Sequence, residues 1–559
     1  MDKNPLTILN IKDARRLTMV ILLIFPVITG SFSTSVFLST ENVHAKKYER
    51  TQVISETNLC GNDFAPFSIL CENLGSETQG NGNALNTIGS QMSHSMTRPL
   101  THSTAVECGP VINLSESPVD TVLGPPLNQP LGFDGIPMQI AASGKNVYTV
   151  WVSTTEAGMD VQETLFRKSN DWGVTFDEIK DLSNNGFSGD VTLNTPQVAA
   201  SGDNVYVVWA SGPTDGSEPS DIWLSRSTDG GNSFEPKVNL GAGAEPQILA
   251  LGDNVYVAWG WGSGAGEAYL AFRVSTDRGA NFEPLQNLWP DCPVFNGNCT
   301  GMDFSIKLAA FGNIVAVVWL NALIQTSQEV LITVSSDMGE SFSSIKTLSE
   351  TGDQPPPDPV VAAFKNNIYT IWNDHDGLTF TRSTDGGANF EPSKLLSEAP
   401  PTIFDFDMAV SGKILNIVWS QNSNDDARRD IFLLRSTDSG TTFEPVKILS
   451  SNTDINNNAP KIAAHRNIVY VTWSSSNNFD DDDLASSVLL TRSIDGGATF
   501  GPVKNVSGDI PPLNRPMAPS TSSLLRSPEI ASSGKYAYVV WPGGVTPPLT
   551  NDVFFTRCM

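Results

Sequence analysis

Seven copies of one eight-residue turn recur through this chain at intervals of 48 to 60 residues. The first reads Ser169-Asn-Asp-Trp-Gly-Val-Thr-Phe176. It is followed by STDGGNSF (227–234), STDRGANF (275–282), SSDMGESF (335–342), STDGGANF (383–390), STDSGTTF (436–443) and SIDGGATF (493–500). Upstream of each turn lies an apolar run ending in tryptophan, such as NVYVVW (204–209), and downstream a short run such as EPVKILS (444–450). A period of about 50 residues carrying several short strands per unit is that of a propeller blade. No stretch has the 3.6-residue periodicity of a long helix.

The spacing Ser-x-Asp-x-Gly-x-x-Phe resembles the Asp-box of the sialidase-like (BNR repeat) β-propeller superfamily. The resemblance implies that each box closes the turn between the third and fourth strands of a blade, on the face opposite the functional one. The chemistry of the box agrees. Ser and Asp accept hydrogen bonds from turn amides, and Gly takes up positive φ without a Cβ clash. The box Phe is expected to insert as a plug between neighbouring strands. Asp171, Asp229, Asp277, Asp337, Asp385, Asp438 and Asp495 are therefore read as structural.

Eight strands end in tryptophan, at Trp151, Trp209, Trp259, Trp319, Trp372, Trp419, Trp473 and Trp541, against only seven boxes. The eighth repeat stops at Cys558-Met559, where a box would begin. Its outer strand is found at the other end of the domain, because Cys108-Gly-Pro-Val-Ile-Asn-Leu-Ser115 aligns with Phe500-Gly-Pro-Val-Lys-Asn-Val-Ser507. The expected fold is all-β: one eight-bladed propeller of four-stranded antiparallel blades, closed by an N-terminal strand in the last blade so that no edge is left open. In this alignment Cys108 takes the place of a box Phe and Cys558 that of a box Ser. A Cys108–Cys558 disulfide would replace the missing turn.

The other four cysteines are locally pairable as Cys60–Cys71 and Cys292–Cys299, with no C-x-x-C spacing, which indicates an oxidising compartment rather than zinc. Lys12, Arg15 and Arg16 precede an apolar run over 17–28, the pattern of a signal peptide; the absence of charge from Leu17 to Thr40 keeps an uncleaved signal anchor open. The expected organisation is signal peptide or anchor over 1–45, a small Cys60–Cys71 element over 46–75, a Ser/Thr/Gly/Asn-rich flexible linker over 76–107, and the propeller over 108–559. The location is then extracellular or at the cell surface. Asn113, Asn298 and Asn505 head glycosylation sequons. With 60 acidic against 34 basic residues and a formal charge of −26, nucleic acid and anionic lipid are excluded as partners.

Acidic residues gather in the segments expected on the face opposite the boxes: Asp374-His375-Asp376, the Asp405 and Asp407 of 403–407, Asp425-Asp426, and Asp480, Asp481, Asp482 and Asp483. Three readings stay open for them. They are solvated loop charges, or calcium ligands (the run 480–483 above all), since hard oxygen donors on loops suit that ion. Or a pair drawn from Asp374, His375, Asp376, Asp405 and Asp407 performs acid–base chemistry of the glycosidase kind. Trp261, Trp289, Phe404 and Phe406, with Arg428, Arg429 and Arg515, form a candidate sugar- or protein-binding set.

The resemblance implies three arginines around a substrate carboxylate and a Tyr nucleophile in an active sialidase. Here the Phe/Tyr-Arg-Ile-Pro motif that carries the first arginine is missing. Arg226, Arg382, Arg435 and Arg492 directly precede box serines, and most tyrosines repeat within strands. With only His375 and His465 in the propeller, a multi-histidine metal centre is excluded. The expectation is a monomeric, non-catalytic binding or structural module for a glycan or an extracellular, cell-envelope protein, with membrane contact only through the anchor alternative and calcium as the one cofactor to consider. The competing expectation is a carbohydrate-active hydrolase or lyase.

Overall fold

In each repeat the apolar run and its tryptophan form the second strand of a sheet, so the spacing of the tryptophans sets the spacing of the blades. In the computed structural model, residues 57–59, 72–74, 104–115, 138–154, 162–183, 191–213, 220–262, 268–290, 305–323, 327–349, 359–374, 376–398, 402–423, 428–450, 456–476, 485–508, 528–543 and 552–559 are described. No helix occurs among them. They form eight four-stranded antiparallel sheets and one two-stranded one. The first strands are Met138–Ser143, Val191–Ser201, Ala244–Leu251, Lys307–Phe311, Val360–Phe364, Ile403–Ser411, Asn456–His465 and Glu529–Ser533 for blades 1 to 8. Each packs against the first strand of the next blade, and that of blade 8 against that of blade 1, which closes the circle. All eight second-strand tryptophans are buried to 1 % exposure or less.

Blade 8 is completed from the N-terminal side. Its strands Glu529–Ser533, Tyr536–Gly543 and Asp552–Cys558 are joined by Ile112–Asn113, with Ile112 opposite Phe555. Glu107 and Met559 exchange backbone hydrogen bonds of 3.0 and 2.8 Å, and Gly109 N–H donates to Arg557 O at 2.8 Å. The Cys108–Cys558 disulfide lies in this ladder and spans 450 residues of sequence. Residues ahead of Cys108 also belong to the ring: Lys504 donates to Val106 O at 3.4 Å, and a Cβ on Gly501 would stand 2.2 Å from Thr104 O. Of the 46–75 element, Thr57–Leu59 and Glu72–Leu74 pair antiparallel with Leu59 opposite Glu72. Cys60, Cys71, Cys292, Cys299, Asn298 and residues 1–45 lie outside the described residues.

The boxes are as the residues demand. In blade 6, Ser436 Oγ donates to Asp438 Oδ1 and accepts Gly440 N–H, both at 2.8 Å, while Thr442 donates its amide to Oδ1 and its hydroxyl to Oδ2. The same pattern holds at Asp171, Asp229, Asp277, Asp337, Asp385 and Asp495. The fifth box position is glycine in all seven boxes, with φ between 75 and 89°. At Gly440 a Cβ would also meet Phe380 of the preceding blade at 2.8 Å.

That contact shows which strands the box Phe plugs. The box Phe does not plug between strands of its own blade; it packs edge-on against an aromatic ring on the third strand of the preceding one. Phe234 meets Phe166, Phe342 meets Phe272, Phe443 meets Phe380, and Phe176 meets Phe555, with centroids 4.7 to 5.2 Å apart. The arginines before the box serines reach the other way. Arg435 Nε donates to Gly496 O at 2.7 Å and Arg226 Nη1 to Arg278 O at 3.2 Å, each on the next blade's box. The boxes therefore lace the blades together on this face.

Two sequons have a structural role in the repeat. Asn505 Oδ1 accepts the amide and hydroxyl of Ser507, whose Oγ accepts Val488 N–H; Asn113, Ser115 and Val553 repeat the arrangement in blade 8.

Box hydrogen bonds also fix an acid response. Donation from the Thr442 hydroxyl and amide holds Asp438 down at about 2, and Asp229, Asp277, Asp337 and Asp385 are likewise held at about 2. A carboxylate with a lowered folded value stabilises the fold above its unfolded value of about 3.9 and loses that contribution as pH falls. The melting temperature is expected to drop between pH 4 and pH 2, with a shallower drop for Asp438→Asn, as read by circular dichroism melts. Identical pH slopes for the two proteins would contradict this.

Candidate functional site

The face opposite the boxes carries the start of each first and third strand and the end of each second. Its most developed described constellation is the junction of blades 6 and 7. Ile403–Asp407, expected in a loop, is instead the start of the first strand of blade 6, with a register shift between Ile403 and Phe406. The bulge lets alternate side chains face blade 7. Asp405 is 5 % exposed, and its Oδ2 accepts Ala459 N–H at 3.0 Å. Asp407 is fully buried, with Oδ2 accepting Ile462 N–H at 2.9 Å and Oδ1 its own neighbour Met408 N–H at 2.7 Å. Burial pushes both carboxyls up, against the pull of the Ala459 amide on Asp405 and of Lys461 on Asp407. Both side chains thus join blade 6 to blade 7, rather than face solvent as loop acids would.

Ala459 sits in the left-handed region at φ 50° ahead of Pro460. A non-glycine residue there carries strain that surrounding contacts must hold, and the Asp405 carboxylate supplies one such contact. The asparagines before it are fixed in turn. Asn456 Oδ1 accepts Arg429 N–H at 3.0 Å; Asn457 Oδ1 accepts Trp473 Nε1–H at 2.9 Å while its Nδ2 donates to Arg429 O at 3.0 Å. Asn458 Oδ1 accepts Arg429 Nη1–H at 2.9 Å. The Arg429 guanidinium lies 3.7 Å from the centroid of the Phe404 ring, a cation–π stack. Both residues remain partly exposed. Beside them Arg428 Nε donates to Asp430 at 3.2 Å with its side chain 42 % exposed, and buried Asp430 also accepts Ser450 Oγ–H at 2.8 Å. Gln421 closes the floor by accepting Trp419 Nε1–H at 2.8 Å and Ser397 Oγ–H at 3.0 Å.

The remaining candidates scatter. Phe406 is fully buried in the core between blades 5 and 6, and Trp289 is 5 % exposed and packed on Trp319, so neither offers a ring face to a ligand. Trp261 ends the second strand of blade 3. Asp374 closes a two-residue hairpin opposite Gly377, accepting Asp376 N–H at 3.0 Å and Thr379 Oγ1–H at 3.2 Å; Asp376 is exposed. His375, Asp425, Asp426, Asp480, Asp481, Asp482, Asp483 and Arg515 lie outside the described residues. Among the described residues no three His, Cys, Asp or Glu side chains converge as a metal site would require.

Sequence reasoning missed Asn456, Asn457 and Asn458. Their signal was an amide run directly ahead of Ala459-Pro-Lys, and it opens the first strand of blade 7. Chemically, the junction offers two adjacent arginines, the guanidinium of one lying over an aromatic ring, with the partly exposed Asn458 beside it. Such a surface suits ligands rich in acceptor oxygens, whether hydroxyl or carboxylate.

No family model matches the chain, and no curated protein matches it. Among solved structures, the polysaccharide lyase Uly1 aligns over 75 % of this chain and 88 % of its own at 9 % identity, with a TM-score of 0.41. A NanB sialidase from Streptococcus pneumoniae aligns over 76 % of this chain and 68 % of its own at 12 % identity, with a TM-score of 0.32. A prolyl endopeptidase aligns over 73 % of this chain at 12 % identity, with a TM-score of 0.41, and the match spans only 54 % of that enzyme. These likenesses concern the fold alone.

Proposed function

We propose that this chain is a sialidase-like propeller that acts outside the cell as a non-catalytic recognition module, binding a glycan or a glycan-bearing protein of the cell envelope at the junction of blades 6 and 7. The observation that carries this reading is the partly exposed residue Arg429, whose guanidinium is stacked on Phe404 and tied to Asn458. A guanidinium held in this way loses little side-chain freedom on meeting a ligand oxygen.

Three of the candidate carboxylates, Asp374, Asp405 and Asp407, are otherwise committed, and so is their neighbour Asp430. Asp405 and Asp407 hold backbone amides of blade 7, Asp430 holds Ser450 and Arg428, and Asp374 holds its own hairpin. Glycoside cleavage needs two carboxyls facing one bond across about 5–10 Å of open site.

The test is a glycan array, together with pull-down on envelope fractions, comparing the protein with Arg429→Ala and Arg429→Lys. A hydrogen bond to a charged group contributes about 1.5–3 kcal/mol, so Arg429→Ala is expected to weaken binding by about 10- to 100-fold. Lys should restore only part, since it lacks the planar fork. Undiminished binding by folded Arg429→Ala would overturn this site.

A further inference from the structure

Blade 8 lacks a box, and with the box it lacks a carboxylate. The arginine directly ahead of the box serine belongs to the repeat: Arg226, Arg382 and Arg435 stand opposite Tyr206, Tyr369 and Asn416, and Arg557 stands opposite Tyr538 in the same register. In blades 2, 5 and 6 the residue after the box Phe is a glutamate. Its amide donates to the arginine's own carbonyl at 2.8 Å, as Glu235 does to Arg226, Glu391 to Arg382 and Glu444 to Arg435. Its carboxylate then returns to the guanidinium, at 2.7 Å for Glu235 and 2.8 Å for Glu391, and Glu444 does the same. In blade 8 that backbone bond is made by Gly109, whose N–H donates to Arg557 O at 2.8 Å. A glycine thus stands in the place of the glutamate. Among the described residues the Arg557 guanidinium bonds only to Trp172 O, the carbonyl of the next blade's box, at 3.5 Å.

There is room where the glutamate is missing. Gly109 and Arg557 are both partly exposed, and a Cβ on Gly109 would meet only Arg557 O, at 3.7 Å. Blade 7 also has glycine at this position, but there Thr104 O fills the space, 2.2 Å from where a Cβ on Gly501 would stand. Two aromatic rings lie beside Arg557. Its guanidinium is 5.2 Å from the centroid of the Tyr536 ring, and the ammonium of exposed Lys535 is 5.3 Å from the same ring. Partly exposed Trp172, the one aromatic residue at its box position, tilts against Tyr536 at 5.3 Å. Its neighbour Asp171 is turned into its own box by hydrogen bonds from Ser169, Val174 and Thr175. A guanidinium without its carboxylate fits a carboxylate from outside, and flat rings beside it fit the CH faces of a sugar. The net charge of −26 opposes a polyanion, but a lone carboxylate senses mainly the charges within a Debye length of about 8 Å. We propose that Arg557, Lys535 and Trp172 form a second glycan site, on the box face between blades 8 and 1, which holds a single acidic sugar such as a terminal uronate by its carboxylate. It is separate from the Arg429 site, which lies on the opposite face.

Titration calorimetry of the full chain tests this, with a glucuronate-terminated oligosaccharide and the same oligosaccharide reduced at that carboxyl to glucose. The acidic ligand is expected to bind, and the reduced one to bind about 10- to 100-fold more weakly, the range for a hydrogen bond to a charged group. Gly109→Glu returns the missing carboxylate to Arg557 and should weaken binding of the acidic ligand by a similar factor. Gly109→Gln, with the same bulk and no charge, should weaken it less, and Arg429→Ala should leave it unchanged. Equal affinity for the two oligosaccharides, or full affinity in folded Gly109→Glu, would overturn the proposal. Loss of binding in Arg429→Ala would also overturn it, by placing the ligand on the other face. So would tighter binding of a glutamate-rich peptide than of the acidic sugar, which would make the site a protein contact.

Discussion

Replacing Cys108 and Cys558 together by serine is expected to lower the stability of the ring by up to about 5 kcal/mol, the upper end of measured disulfide effects and below the chain-entropy value of about 6 kcal/mol for so long a loop, and by less where residual structure in the unfolded chain intervenes. Seven blades join their third and fourth strands through a box, and the eighth cannot, because its fourth strand, Ile112–Asn113, arrives from the far end of the domain. The disulfide bridges the place where that turn is missing. Without it, closure rests on the Glu107–Met559 and Gly109–Arg557 backbone bonds and on Ser115 Oγ, which donates to Asp552 Oδ1 at 2.8 Å. These local bonds order the same strand but do nothing to restrict the unfolded chain. Denaturant midpoints of the double variant and of the reduced parent should fall together. A double variant as stable as the oxidised parent would contradict the assignment of ring closure to this bond.

Lys461→Met is expected to cost about 3–5 kcal/mol, the typical penalty for removing one partner of a buried ion pair. Lys461 is fully buried, 3.1 Å from Glu529, and from the first strand of blade 7 its charge offsets the upward push of burial on Asp407. Methionine matches its length, so little of the loss comes from a cavity; most comes from two carboxylates left without their cation. Burial already raises both carboxyls, and losing the lysine raises them further. A carboxyl with a raised folded value costs stability while ionised and ceases to cost it as pH falls through that value. The deficit of Lys461→Met relative to the parent should therefore shrink between pH 7 and pH 5. Urea unfolding at the two values reads this out, and a deficit that is pH-independent would show these charges to be uncoupled.

How much of this was legible in the sequence depends on whether the determinant is local. The boxes are local, since Ser436, Asp438 and Gly440 satisfy one another within five residues, and eight tryptophans against seven boxes sufficed to place the closing strand and its disulfide. Contacts between blades are not local. Asp405 and Asp407 looked like loop acids because nothing near them in sequence shows that their partners are the amides of Ala459 and Ile462, more than 50 residues on. Phe406 looked like a ligand-facing aromatic for the same reason, whereas the bulge after Ile403 turns it into the core. The polar residues of the first strands are an intermediate case. One precedes the small-residue run of nearly every first strand, from Gln139 to Glu529, but only the register with the tryptophans reveals that these positions share one level.

The most direct test of a recognition module is to ask for turnover and binding in the same tube. The full chain, with and without calcium, is incubated with sialosides and with neutral and acidic oligosaccharides beside an active sialidase, and products are read by mass spectrometry while binding is read by retention. Retention of a ligand that Arg429→Ala loses is expected, with no released sugar. Sugar released by the parent protein, and no longer released after Asp374→Asn, would contradict it and make this propeller an enzyme.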